Sequence, residues 1–275
     1  MNLQIRPETA QAAPRMGEPD RFSPWPGFRA LAGREIRRFL KVWAQTLGAP
    51  VVTTMLFLGV FVLALDRPGH AVGGTPFVQF LGAGLVMMAL AQNAFANVSS
   101  SLLIAKMQGN IVDLLMAPLP PAALLGGLLA GSVARGLLVG GICLAVMWPL
   151  ARFPLPDPLL ALAVAVLAAA VLGLLGLLAG LWAEKMDHLA TVTNFLVTPL
   201  AFLSGTFYSV ERLPEPLRLL AHADPLFWMI DGFRAGLTGH AEGRPWLGLL
   251  GLAAVALGLW LLALELLRRG WRLRA

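Results

Sequence analysis

The stretch LATVTNFLVTPLAFLSGTFYSVERLPEPLRLLAHADPLFWMIDGFRAGLTG, Leu189 to Gly239, decides the architecture. Its first part, through Phe207, is apolar and long enough to cross a bilayer. The run breaks at Ser204-Gly205 and turns polar through Tyr208, Glu211, Arg212, Pro214 and Glu215. A short helical piece, Leu217 to His222, follows with Pro225 as its stop. A second apolar piece, Leu226 to Leu237, then carries Asp231 and Arg234. That piece is about 12 residues, whereas a span needs roughly 20. Backbone at membrane depth must satisfy its hydrogen bonds internally. The expectation is a helical hairpin, Asp224-Pro225 at its centre, that dips partway into the membrane and returns to the same side.

Outside this stretch the composition points to lipid. Hydrophobic residues make up 57% of the chain, charged residues 13%, and the mean hydropathy is +0.73. Soluble domains carry about 25% charged residues, so this reads as an integral membrane protein. The net charge of +6 does not point to nucleic acid, because the basic residues flank apolar spans. Cys143, the single cysteine, excludes a disulfide framework. Residues 1–27 lack the apolar core of a cleaved signal peptide and read as a disordered cytoplasmic tail. Residues 28–275 read as one transmembrane domain.

From Phe28 to Trp43, Phe28, Leu31, Ile36, Phe39, Leu40 and Trp43 recur at helical spacing, while Arg29, Arg34, Arg37, Arg38 and Lys41 fill the other face. A basic amphipathic helix of this kind lies on an anionic membrane surface. Six spans are expected after it: Leu47–Leu65, Phe77–Ile104, Ala122–Leu150, Leu159–Ala183, Leu189–Phe207 and Trp246–Leu267. Pro50 and Pro199 should kink the first and fifth, with Thr53, Thr54 and Thr198 at hand for the freed backbone groups. An even number of spans puts both basic ends on one side, expected to be cytoplasmic.

Between the second and third spans lies AKMQGNIVDLLMAPLPP. Gly109 interrupts the helix, Asn110 and Asp113 have N-cap and N3 spacing, and Ile111, Leu114 and Leu115 form an apolar stripe before the prolines. A plain connector needs neither two helical turns nor such a stripe, so a docking element is expected here. Arg135 sits near the middle of the third span with no carboxylate at comparable depth, which leaves the amide oxygens of Asn93 and Asn97 as its partners. Asn93, Asn97 and Ser101 share one face, and Thr191, Asn194 and Thr198 make a second polar stripe. Either stripe lines a translocation path, or both are interhelical hydrogen bonds that hold the bundle. The glycine pairs Gly127/Gly131, Gly136/Gly140 and Gly176/Gly180 permit close helix contact.

No G-x-x-x-x-G-K-[ST] is present, so ATP hydrolysis is not expected from this chain. The four histidines have no metal spacing, and no Ser or Cys sits in a nucleophile motif; no catalytic or metal residue is assigned. A secondary transporter or channel working without an ATPase is the alternative class. Against it stand the lack of an internal repeat and of intramembrane carboxylates for proton coupling.

The hairpin stretch resembles the ending of ABC-2 type transporter permeases. The residues that carry the resemblance are Pro199, Ser204, Gly205, Phe207, Leu213, Pro214, Asp224, Pro225, Asp231, Phe233 and Arg234. The stretch FANVSSSLLIAKMQGNIVDLLMAPLPP is similar to that family's second span and first cytoplasmic loop, with Gln108 where Arg is more familiar and Asp113 near the usual acidic position. The resemblance implies an all-α membrane fold of six transmembrane helices, preceded by an interfacial helix, with a re-entrant extracellular hairpin. It implies that Gln108, Gly109, Asn110, Asp113, Leu114 and Leu115 form a coupling helix seated on a separate ATPase subunit, and that Arg34, Arg37, Arg38 and Lys41 belong to the interfacial helix. Two permease copies and two ATPase subunits, the latter binding ATP and Mg, would assemble in the inner membrane as an exporter.

Overall fold

The computed structural model describes residues 24–67, 70–116 and 119–270, with Asp113, Leu114 and Leu115 described by their backbone alone. Expectations about the tail up to residue 23, about Arg272 and Arg274, and about the side chains of those three residues fall outside the described residues. Eleven α-helices are seen among them. In chain order they are α1 (Pro24–Leu40), α2 (Ala49–Leu65), α3 (Phe77–Met107), α4 (Ile111–Met116), α5 (Pro121–Ala151), α6 (Pro158–Trp182), α7 (Met186–Val192), α8 (Thr198–Leu203), α9 (Glu215–Ala223), α10 (Pro225–Thr238) and α11 (Pro245–Arg268). A two-stranded antiparallel ribbon, β1 (Ala71–Val72) and β2 (Thr75–Pro76), joins α2 to α3. Gly73 and Gly74, at φ 56° and 80°, make its tight turn.

Five helices among the described residues are long and apolar enough to cross a membrane: Ala44–Leu65, α3, α5, α6 and α11. The fifth expected span is not one of them. It is assembled from α7, a π-helical turn (Thr193–Val197) and α8, and it starts among polar residues at Asp187 and His188. The same device precedes the other proline, where a π-helical turn (Ala44–Gly48) leads into α2. Proline lacks an N–H and crowds the preceding turn, and a widened turn makes room for its ring. Thr54 donates to the Pro50 carbonyl at 2.6 Å and Thr193 to the Leu189 carbonyl at 2.9 Å.

The short elements also differ in detail from the sequence reading. α9 ends at Ala223, just before Pro225 as expected, but Pro225 does more than stop it. It opens α10, with the Asp224 carboxylate accepting the Leu226 N–H at 2.9 Å as N-cap. A proline suits the first helical turn, where its missing N–H has no intrahelical role. The basic helix starts at Pro24 and ends at Leu40, instead of running from Phe28 to Trp43.

α3 is the buried centre of the bundle, packed most extensively on α5 and α6, with α10 against its first turns and α2 alongside. The pairs Gly136/Gly140 and Gly176/Gly180 mark the crossings of α5 and α6 with α3. A Cβ on Gly176 would lie 2.3 Å from the Phe95 carbonyl oxygen, and one on Gly180 3.0 Å from that of Ser99. Such close approach trades side-chain bulk for backbone contact, because lipid offers no hydrophobic drive for helices to associate. α2 leaves Val52, Leu56, Val60 and Leu63 exposed, and α11 leaves Leu250, Leu257 and Leu261 exposed. α9 and α10, with nine and 14 residues, are each too short to span. A Cβ on Gly236 would meet Ala161 and one on Gly232 would meet Val164, so α10 runs antiparallel to α6.

Candidate functional site

Three clusters of polar side chains lie along the bundle. The central one borders a cavity of about 660 Å³ between the end of α1, the widened turn before α2, and the facing sides of α3 and α5. Arg38, Gln45, Thr53, Gln92, Asn93 and Arg135 give it polar walls. Arg135 Nη2 donates to Asn93 Oδ1 at 3.0 Å. The Asn93 amide is oriented for this by donating its Nδ2 to the Ala89 carbonyl one turn earlier, at 2.9 Å. Arg135 Nε has no hydrogen-bond partner. A guanidinium at this depth is costly, about 2.5–3.5 kcal/mol on insertion scales, and it faces the cavity as such groups do.

The second cluster fixes α1 to the bundle. Glu35 is fully buried, and its carboxylate accepts Ser101 Oγ at 2.9 Å, Arg34 Nη2 at 3.2 Å and Arg38 Nε at 3.2 Å. Arg38 reaches on to the Asn97 carbonyl oxygen at 2.6 Å and to Asn97 Oδ1 at 3.1 Å. α5 admits this contact because a Cβ on Gly131 would sit 2.4 Å from that of Glu35, and one on Gly127 would strike Leu31. The apolar face of α1 is therefore spent largely on protein, with Leu31 and Phe39 buried; Trp25, Val42 and Trp43 remain exposed for lipid. Beside it, Arg34, Arg37, Arg38, Lys41, Gln108 and Asn110 line a groove of about 390 Å³. Gly109, at φ 74°, turns the chain out of α3 and into α4, a left-handed conformation that glycine adopts freely. Asn110 Nδ2 donates to Gln108 Oε1 at 3.3 Å. α4 buries Ile111 and exposes Val112 and Met116.

The third cluster occupies the opposite end. Gly205, at φ 80°, breaks the chain after α8, and its carbonyl accepts Arg234 Nη2 at 2.9 Å. The buried Arg234 guanidinium carbon also lies 3.5 Å from the centroid of the Phe80 ring on α3, a cation–π contact. Ser204 Oγ donates to Asp224 Oδ2 at 2.6 Å, which ties the break to the start of α10. Asp231 accepts the backbone N–H groups of Glu242 at 2.7 Å and Gly243 at 2.9 Å, while Glu242 Oε2 accepts that of Val210 at 3.0 Å. Pro214 opens α9. Burial pushes the Asp224 carboxyl above its ordinary range, against the pull of its bonds from Ser204 and Leu226. Burial likewise raises Glu242, against the pull of Ser209, the Arg234 guanidinium and Val210.

The sequence-predicted residues are thus partly brought together and partly separated. Asn93 and Arg135 meet in the cavity, whereas Asn97, fully buried, and Ser101 serve the α1 anchor. Asn194 is exposed on the outside of the chain and Thr198 half-buried beside it. Glu35 and Glu242 are the functional-looking residues that sequence reasoning passed over. Glu35 had a signal: it stands four residues from both Leu31 and Phe39, inside the apolar stripe of a basic helix. A carboxylate in that register has to be paired. Glu242 had none, because its partners at Val210 and Ser209 are far away along the chain.

With this geometry in place, comparisons with known proteins identify relatives. A family model described as ABC-2 type transporter matches residues 26–238. The inner membrane transport permease YadH of Escherichia coli strain K12 is 36% identical over 252 residues, covering 91% of this chain and 98% of the relative. Nodulation protein J of Sinorhizobium fredii strain NBRC 101917 / NGR234 is 27% identical over 224 residues, or 80% and 84% of the two chains.

Proposed function

The chain belongs to the ABC-2 type transporter family, and from that premise we propose that it is the membrane subunit of an inner-membrane exporter driven by a separate ATPase. The transporter subunit carries no chemistry of its own. ATP and Mg are bound by the partner, of which two copies sit beneath a pair of permeases. α7 and α8, joined by their widened turn, make the sixth crossing. With it, both chain ends lie in the cytoplasm, and α9 and α10 form a re-entrant hairpin on the outer face.

The observation that carries this reading is the corner at Gly109. α4 is a separate six-residue helix, turned out of α3, with Val112 and Met116 exposed beside a basic groove. A force applied to α4 reaches the buried centre of the bundle directly, because α3 packs on both α5 and α6. Closure of the ATPases would move α4 and α1 together through the Glu35 anchor. The cavity at Arg135 and the hairpin at Gly205, each in contact with α3, would then change their access. Alternating access of this kind requires nucleotide to bind the two states with different affinity. The exposed faces of α2, and Phe195 and Leu196 beside Asn194, are available to the second copy or to lipid.

The test is to break α4 with Leu114→Pro or Leu115→Pro in the complex with its ATPase. Transport and transport-stimulated ATP hydrolysis should be lost while the chain remains folded and inserted. Unchanged coupling would remove α4 from the docking role. Transport by the purified permease without any ATPase would favour a secondary transporter.

A further inference from the structure

We propose that Arg38, together with Ile104, is the inner gate of the cavity at Arg135, closing it off from the basic groove on the cytoplasmic face. This rests on the transporter reading above, with its orientation, and names the residues that control entry.

Two hollows meet at these residues. The cavity of about 660 Å³ lies on one side and the groove of about 390 Å³ on the other, and among the described residues Arg38 and Ile104 line both. α3 marks the same divide. Ser100 lines the cavity, its neighbour Ser101 lines the groove, and Ile104, one turn further on, borders both. Each hollow is far larger than the roughly 30 Å³ that a water molecule occupies. What separates them is the partition at Arg38 and Ile104.

The partition is held by bonds that can be given up. Arg38 reaches from α1 across to α3, where its Nη2 donates to the Asn97 carbonyl oxygen at 2.6 Å and to Asn97 Oδ1 at 3.1 Å, and its Nη1 to Ser100 Oγ at 3.5 Å. All three acceptors are neutral. The Arg38 side chain is 32% exposed, whereas Glu35, which accepts its Nε, is fully buried. Water can therefore replace the α3 acceptors at little cost. The Glu35 carboxylate, held by Ser101 and Arg34, stays behind as the pivot. Ile104 adds an apolar plug beside the guanidinium, and apolar constrictions gate by excluding water. A displacement of α1 along α3 that carries Arg38 off Asn97 and Ser100 joins the groove to the cavity.

The experiment introduces Gln92→Cys, on the cavity wall, and follows its modification in membrane vesicles of known sidedness. Two small membrane-impermeant thiosulfonates are used, one anionic and one cationic. Cys143, which is buried, stays in place, and the chain without Gln92→Cys gives the blank. Gln92→Cys should react slowly from the cytoplasmic face and not from the outer face. Adding Arg38→Met should accelerate both reagents at least about tenfold, the shift in open population that loss of one charge-assisted hydrogen bond produces. Ile104→Ala thins the plug without touching the α1 anchor, and should accelerate both reagents even if Arg38→Met fails to fold. Arg29→Gln, exposed on the same helix and lining neither hollow, should change nothing. Reaction from the outer face, or no acceleration in Ile104→Ala or in folded Arg38→Met, overturns the gate. So does a faster cationic reagent with a slower anionic one, because Arg38 would then act through its field alone. Labelling is read without an ATPase, so such a failure leaves the α4 coupling test untouched.

Discussion

Ser101 on α3 donates its hydroxyl to the buried carboxylate of Glu35 on α1 at 2.9 Å, a bond between residues 66 positions apart. It joins the basic helix to the centre of the bundle, and Arg38 doubles the joint by holding Asn97 one turn away. α1 therefore behaves as part of the protein fold rather than as a raft on lipid.

Glu35→Ala should leave Arg38 and Arg34 without a counter-charge and release α1 from α3. Removing one partner of a fully buried pair costs about 3–5 kcal/mol. Arg38 is 32% exposed, so solvent screens part of that loss and about 1–3 kcal/mol is expected. Chemical unfolding in detergent measures it, and faster proteolysis near residues 40–48 should accompany it. A variant as stable and protected as the parent would show that the anchor is incidental.

The α3–α6 crossing should be the least tolerant of added bulk. In Gly176→Ala the new methyl would lie 2.3 Å from the Phe95 carbonyl oxygen, backbone that cannot swing aside. Overpacking of this kind costs about 1–3 kcal/mol. Gly141→Ala meets nothing within 4 Å and should be neutral or gain up to about 1 kcal/mol in helix propensity. Paired thermal-unfolding curves decide this: similar midpoints for the two variants would mean that the crossing is looser than described.

Arg234→Met preserves length but removes the bond to the Gly205 carbonyl and the contact with Phe80. The buried carbonyl and the carboxylates of Asp231 and Glu242 lose their counterpart, so a local loss of about 2–4 kcal/mol is expected. Hydrogen exchange should accelerate across residues 204–244 and stay unchanged in α5. Exchange that rises uniformly over the chain would argue for global unfolding instead.

Protonation should tighten the same end of the molecule. Burial raises the native carboxyl pKa of Glu242 above 4.5 and that of Asp224 above 3.8. The folded state then binds more protons than the unfolded one across the window between those ordinary values and the raised ones. Stability accordingly falls as pH rises through that window and is flat on either side of it. Glu242→Gln should flatten its share, which a comparison of melting temperature against pH for parent and variant reads out. A parent that gains stability relative to the variant as pH rises would reverse the sign and contradict the burial argument.

The chain by itself determined that this is a helical membrane protein, where its long apolar helices run, that Gly109 ends α3, and that Gly205 breaks the chain before two short helices. These follow from local chemistry: runs of apolar side chains, prolines, and glycines where the backbone turns left-handed. It also pointed to Asn93 and Asn97 as the partners of Arg135, because few acceptors share that depth; Asn93 takes the bond, whereas Asn97 accepts Arg38. Only the tertiary structure decided that Asn97 and Ser101 serve the α1 anchor while Asn93 borders a cavity, that α10 lies against α6 with Arg234 over Phe80, and that the helix around Pro199 is widened and too broken to count with the long spans. Each of these depends on which helix comes to lie beside which. That choice is made by backbone approach at glycines such as Gly131 and Gly176 and by pairing of buried charges far apart in sequence, neither of which leaves a periodic trace along the chain.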